Sequence, residues 1–150
     1  MSDPIDELTH DHGDLNRKVV SIAALLRTPT AQPDQHEELV IALADLRDQL
    51  FLHFAREEEG LFPFIANALP ELAPQVETMS VAHDTICGAL ARTCHLAETN
   101  AEHTALVSLF ERFQAAYADH ASAESLVLKS LDRELGAAQR EQLAALVAGI

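Results

Sequence analysis

Proline and polar clusters divide this sequence into four long segments, each with apolar residues recurring at helical spacing. One break is Thr28-Pro29-Thr30-Ala31-Gln32-Pro33-Asp34 and another is Asn67-Ala68-Leu69-Pro70-Glu71-Leu72-Ala73-Pro74. Thr99-Asn100 is a weaker break, and a further one lies near 130–136. The pattern predicts helices over about 4–27, 34–66, 73–98 and 101–129, then a short helix over about 137–148. Asp3 can cap the first helix, Pro4 fits its first position, and Asp6 and Glu7 sit in its first turn. Pro63 is expected to kink the end of the second helix.

Long helices joined by short connections predict an all-α fold, an up-down-up-down four-helix bundle with a short C-terminal helix. Composition agrees. The 150 residues include only 5 Gly, 6 Pro and 5% aromatics, which disfavours a sandwich or barrel. A length of 150 residues suits one domain over 1–150, with the bundle over about 4–129.

Charge narrows the partners. There are 24 acidic and 10 basic residues, a net charge of −14. A phosphate backbone and an anionic membrane both need basic patches, so neither nucleic acid nor membrane is an expected partner. No apolar run is long enough for a membrane span, and the first residues lack a signal-peptide pattern. Cys87 and Cys94 on one helix would lie about 10 Å apart along its axis, too far for a disulfide. A soluble, cytoplasmic protein is expected.

The histidines carry the chemistry. Ile5, Leu8, Leu15, Val19, Ile22 and Leu26 form the apolar stripe of the first helix, and His12 falls within it, whereas His10 and Asp14 point the opposite way. In the second, Leu39, Leu43, Leu46, Leu50 and Leu61 share their face with His53 and Glu57. In the third, His83 is central to Val76, Met79, Ile86, Leu90 and Cys94, with Cys87 beside it. In the fourth, His120 and Glu124 join Leu106, Leu109, Phe113, Val127 and Leu131. Each His/Glu pair is spaced four residues apart, so both side chains face one centre. Counting from the breaks at 1.5 Å per residue puts all four histidines near mid-bundle when the helices run antiparallel.

Six ionisable groups on core faces at one depth need cations, because an unpaired buried carboxylate is costly. The alternative is a purely structural polar network. Four imidazoles and two carboxylates exceed one tetrahedral zinc and suit two octahedral metals bridged by carboxylates. Donor hardness favours iron or manganese, with zinc as a substitute. An oxide or hydroxide bridge would leave one open position on each ion for a small oxidant.

The segment His53-Phe54-Ala55-Arg56-Glu57-Glu58-Glu59-Gly60-Leu61-Phe62-Pro63 resembles the H-x-x-x-E-E-x-x-L-F-P signature of the hemerythrin-like HHE cation-binding family. His120-Ala121-Ser122-Ala123-Glu124 matches its second H-x-x-x-E, and His12 and His83 take the places of its single histidines. The resemblance implies a non-haem di-iron centre, Fe-O-Fe or hydroxo-bridged, with His12, His53, Glu57, His83, His120 and Glu124 as metal ligands. It implies binding of O2, sensing of iron or oxygen, a response to nitric oxide or peroxide, or repair of iron centres. The oxygen-carrying members have a second histidine where Cys87 stands here and an Asp where Ser125 stands, and Glu124 replaces that Asp. The chain therefore resembles a four-His, two-Glu variant, in which oxidation, peroxide chemistry or nitric oxide binding is expected before simple oxygen storage.

Other residues are read more plainly. Cys87 is a small apolar filler or touches the metal pair. Tyr117 packs, or donates a hydrogen bond near the site. Glu58 and Glu59 face solvent, with Glu58 alternatively orienting a group behind the ligands. Asp119 is a candidate holder of a neighbouring imidazole, and His10, His36, His95 and His103 are expected to be solvated. Two functions remain: a di-iron binding module for a small diatomic or peroxide ligand, or a di-iron enzyme that decomposes peroxide or oxidises iron. The apolar tail over 143–150 caps the bundle or forms a homodimer contact, and a sensing role would need a separate signalling partner.

Overall fold

Asp3 starts the first helix: its Oδ1 accepts a hydrogen bond from the Ile5 N–H at 2.9 Å. In the structure, a computed structural model that describes residues 3–27, 33–99 and 102–148, this helix, α1, runs Pro4–Arg27. Helix α2 spans Pro33–Arg56, and a π-helical segment, Glu57–Leu61, leads directly into α3, Phe62–Ala68. A single 3-10 turn, Pro70–Leu72, connects to α4, Ala73–Glu98. Helix α5 is His103–Glu134 and α6 is Ala137–Ala148. Most of the break at 28–34 lies outside the described residues, as does Asn100. None of the described residues is in a strand.

The elements are those expected, with two differences. The irregularity near Pro63 is a wide turn ahead of the proline, closed by the Phe62 N–H on the Glu57 carbonyl. Pro63 itself sits in the first turn of α3, just after that wide turn, and as a proline has no N–H to offer the preceding helix. The fourth long helix runs five residues beyond the expected 129, because Leu131 is fully buried and keeps the stripe of Val127 and Leu128 in the core.

Helices α1, α2, α4 and α5 form the bundle: α1 packs on α2 and α5, and α4 packs on the same two. At one end His36 near the start of α2 reaches the Ala97 carbonyl at 2.8 Å, and His103 at the start of α5 reaches the Leu26 carbonyl at 2.8 Å. Starts therefore meet ends, the up-down-up-down order. No described helix is long and apolar enough to cross a membrane.

The core comes in two apolar clusters. The first holds Leu15, Val19, Leu43, Leu46, Leu50, Ile86, Leu90, Phe110 and Phe113 among others. The second holds Ile5, Leu8, Leu61, Phe62, Ile65, Met79, Val127, Leu131, Leu143 and Val147. On three of the long helices the inward histidine falls between a member of one cluster and a member of the other: His12 between Leu8 and Leu15, His83 between Met79 and Ile86, His120 between Tyr117 and Val127. His53 follows Leu50 of the first cluster, and the second is reached only at Leu61 in the π-helical segment. A polar layer is thus clamped between two greasy ones. Each fully buried Leu or Phe contributes roughly 1.5–3 kcal/mol to that clamp.

The tail helix closes one end. Leu143 and Val147 are buried in the second cluster, and α6 packs against the π-helical segment and α1. Arg140 ties it down, with Nη1 2.5 Å from Asp3 Oδ2 and Nη2 2.9 Å from Asp132 Oδ1. Leu143→Ala should lower unfolding stability by about 2–5 kcal/mol, the usual range for a buried leucine. Urea unfolding checks this, and the loss should not depend on protein concentration if the tail caps its own bundle.

Candidate metal centre

Four helical elements and the π-helical segment carry the six inward groups to one place. His12 comes from α1, His53 from α2, Glu57 from the first position of the π-helical segment, His83 from α4, and His120 and Glu124 from α5. All six are buried, and both glutamates show no exposure. A carboxylate with no exposed surface must have a partner of opposite charge.

The six sort into two groups. His12, His53, Glu57 and Glu124 bring one ligand atom each within 4.8 Å of one another, and so do Glu57, His83 and His120. Glu57 belongs to both. Its Oε1 lies 2.5 Å from His53 Nε2 and its Oε2 lies 2.9 Å from His83 Nε2. Glu124 likewise spans the divide, with Oε1 3.0 Å from His12 Nε2 and Oε2 3.2 Å from His120 Nε2. Each carboxylate therefore presents one oxygen to each histidine pair. Within the pairs, the Nε2 atoms face each other at 3.1 Å for His12 and His53 and at 3.3 Å for His83 and His120.

Bonding is incomplete at this convergence. Glu57 Oε1 and both oxygens of Glu124 are buried without a hydrogen-bond partner. Burial leaves the unmet cost of a polar atom at about 1–3 kcal/mol, and more for a charged one. The groups are electron-pair donors aimed at one another, so protons or cations must lie between them. The residues present fit a pair of cations of the iron or manganese kind: nitrogen and oxygen donors only, two histidines to a group, and carboxylates shared between groups.

Aromatic rings and outer carboxylates fix the histidines. His83 is stacked between Phe54, at a centroid distance of 3.7 Å, and Phe62, at 5.4 Å. Its Nδ1 lies 2.7 Å from Glu58 Oε1. Glu58 is exposed, as expected, yet its carboxylate also meets this histidine directly, and Glu59 is exposed as expected. On the other side His53 Nδ1 lies 3.5 Å from Asp11 Oδ2, and Arg56 Nη1 lies 3.3 Å from the same oxygen. Neither Asp11 nor Arg56 stood out in the sequence. Asp11 is off the core face of its own helix and becomes relevant only because α2 brings His53 alongside.

Four further expectations are settled by position. His36 and His103 are not simply solvated, since each ring nitrogen meets a backbone carbonyl at a helix end. His10 is exposed, 3.4 Å from Asp14, and His95 is exposed. Asp119 is exposed and does not hold its neighbour, because His120 Nδ1 has no hydrogen-bond partner. Tyr117 is buried and stacked on Phe113 at 5.8 Å, with its hydroxyl unpartnered. Burial, then the charges of Glu124 and Glu57, push its phenol up.

Cys87 joins neither convergent group among the described residues. It lines a surface depression of about 450 Å³ with Phe51, Glu58, Ser80, His83 and Asp84. Burial, then the charges of Asp84 and Glu58, push its thiol up to about 11. In the metal-free chain it is therefore a thiol at neutral pH.

Without metal, protons occupy the convergence. Burial works against charge on His120, but Glu124 and Glu57 outweigh it and push the imidazole up from 6.5 to about 9. Burial likewise opposes His53, and Asp11, Glu124 and Glu57 hold it well above its ordinary value. For Glu124 burial acts to raise the pKa, and His12, His120 and His53 overcome it to hold the carboxyl well below the usual range. A histidine raised on folding stabilises the fold fully below its unfolded value and loses that effect as pH passes the folded value. Metal-free protein should therefore lose stability as pH rises from 6.5 to about 9. Glu124 adds stability above 4.5 that is lost on acidification through its lowered value. Denaturant midpoints in the presence of chelator should peak between those limits, and a flat profile would contradict the proton-filled cluster.

Comparison with curated proteins and with solved structures gives no significant match. The family model described as hemerythrin HHE cation binding domain matches residues 3–132. That span takes in all six convergent residues and ends before α6. On this match, and with the buried histidine and glutamate groups at its centre, the chain belongs to the hemerythrin HHE cation-binding domain family.

Proposed function

We propose that this chain is a non-haem di-iron protein that binds or responds to a small oxidant or diatomic molecule: O2, nitric oxide, peroxide, or iron itself. The observation that carries the reading is the sharing of Glu57 and Glu124 between two histidine pairs, with each carboxylate offering one oxygen to each pair. His12 and His53 would hold one ion and His83 and His120 the other, with Glu57 and Glu124 bridging. Two irons in such a site supply one-electron redox chemistry and open Lewis-acid positions for a small ligand. Manganese or zinc could replace iron on the same donors.

The chain's own residues define the surroundings of that chemistry. The apolar clusters above and below the layer exclude bulk water, which strengthens every charge interaction within it. Phe54 and Phe62 hold the His83 ring in plane, and Phe54 also meets His120 edge-on at 5.2 Å. Tyr117 supplies a buried hydroxyl one turn before His120.

The donor count supports a second reading as well. Four imidazoles and two bridging carboxylates leave positions free on two six-coordinate ions, which suits an enzyme that decomposes peroxide or oxidises iron. The two readings differ by turnover. Iron-loaded protein exposed to air, nitric oxide and peroxide should change its absorption spectrum. A lasting change at one equivalent fits a binding or sensing module, and catalytic loss of excess peroxide fits the enzyme. No spectral change with any of the three would contradict both.

Removing a shared ligand should affect both ions. Glu124→Gln should weaken metal retention by more than the roughly 10–100-fold typical of an outer residue. Chelator competition with metal analysis measures this. Because the ligand imidazoles must be deprotonated, metal affinity should also rise with pH over the interval in which metal-free protein loses stability.

A further inference from the structure

The outer nitrogens of the histidines are not treated alike. His83 Nδ1 meets Glu58 Oε1 at 2.7 Å, and Ser80 Oγ donates to the same carboxylate at 2.8 and 3.0 Å. His53 Nδ1 makes no direct hydrogen bond but lies within ion-pair distance, 3.5 Å, of Asp11 Oδ2, which also receives Arg56 at 3.3 Å. His120 Nδ1 is likewise buried with no hydrogen-bond partner, and among the described residues no carboxylate lies within ion-pair distance of it. His53 and His83 belong to different convergent groups. Each group therefore contains a histidine with a carboxylate at its outer nitrogen, Asp11 of α1 for one and Glu58 of the π-helical segment for the other.

We propose that Asp11 and Glu58 are positioning residues that each govern one of the two cation positions, Asp11 that of His12 and His53, and Glu58 that of His83 and His120. This rests on the two-cation reading above. The physical reason lies in the imidazole tautomer. A carboxylate only accepts, so it draws the ring proton to Nδ1 and leaves the Nε2 lone pair facing inward. It also makes that nitrogen a stronger donor. Without the carboxylate the proton is free to sit on Nε2, where it blocks the ligand atom.

The arrangement is open to a clean test, because both residues lie on the solvent side of the histidines they back. Asp11 lines a depression of about 260 Å³ with Gln49, Leu52, His53 and Arg56. Glu58 lines the depression that holds Ser80 and Cys87. The side-chain exposures of 30% and 40% mean that truncation leaves no sealed cavity. Glu59 is exposed and bears the same charge at the next position, so Glu59→Ala is the matched control.

The experiment is chelator competition on the full-length, metal-loaded protein, counting tightly held ions per chain. Asp11→Ala and Glu58→Ala should each retain one ion as the parent does and release the other about 10–100-fold more readily. The double variant should release both, and Glu59→Ala neither. Asp11→Asn and Glu58→Gln, which keep an acceptor oxygen, should recover part of the loss. Cobalt-loaded single variants should each show shifted visible bands for one ion only. Urea unfolding without metal separates a folding defect from a site defect, and the single variants should unfold close to the parent. Unchanged affinity, or equal weakening of both ions in a single variant, would overturn the proposal. A parent protein that never holds two ions would instead overturn the two-cation reading, and this is seen before any variant is made.

Discussion

The structure depends on one electrostatic constraint: two fully buried carboxylates and four buried imidazoles point electron pairs at a common centre. Neutral imidazoles with their protons turned inward could give each carboxylate oxygen a hydrogen bond, but two buried negative charges would remain uncompensated. Something positive must complete the layer. Protons do so partly, which is why His53 and His120 sit above their ordinary pKa and Glu124 below its own. Cations do so with the correct charge and donor number. The membership of the chain in a cation-binding family is in accord with this reasoning.

The rest of the fold serves to hold that layer still. One apolar cluster lies on each side of it, so the four long helices are fixed in register where the histidines are. The π-helical segment begins at Glu57 itself. Such a wide turn inserts a residue into the helical register, and π-turns recur at functional sites. It lets Glu57 face the centre while Leu61 and Phe62 still reach the second cluster. Helix α6 lies beyond the family match and packs on that same segment, anchored by Arg140. The tail thus supports the one stretch of the bundle with irregular backbone.

Most of this was legible in the sequence, for a definite reason. Periodicity names the inward face of a long helix, and histidines among leucines are conspicuous there, so all six convergent residues and the bundle itself could be read from spacing. What spacing does not carry is contact between helices. Asp11 is adjacent to His12 but serves His53, forty-two positions on, and only the packing of α1 on α2 reveals it. Glu58, in the π-helical segment, reaches over to His83 on α4 in the same way. His36 and His103 looked solvated because their partners are carbonyls at the ends of other helices. The wide turn at Glu57 leaves no pattern that a uniform hundred-degree wheel can register.

The most direct test of the central claim is the metal content of the purified protein after reconstitution with iron, measured per chain alongside a calorimetric titration. The shared carboxylates predict two ions per chain. A single ion, or none under conditions where the fold is intact, would contradict the account and leave the buried histidines and glutamates as a proton-filled structural core.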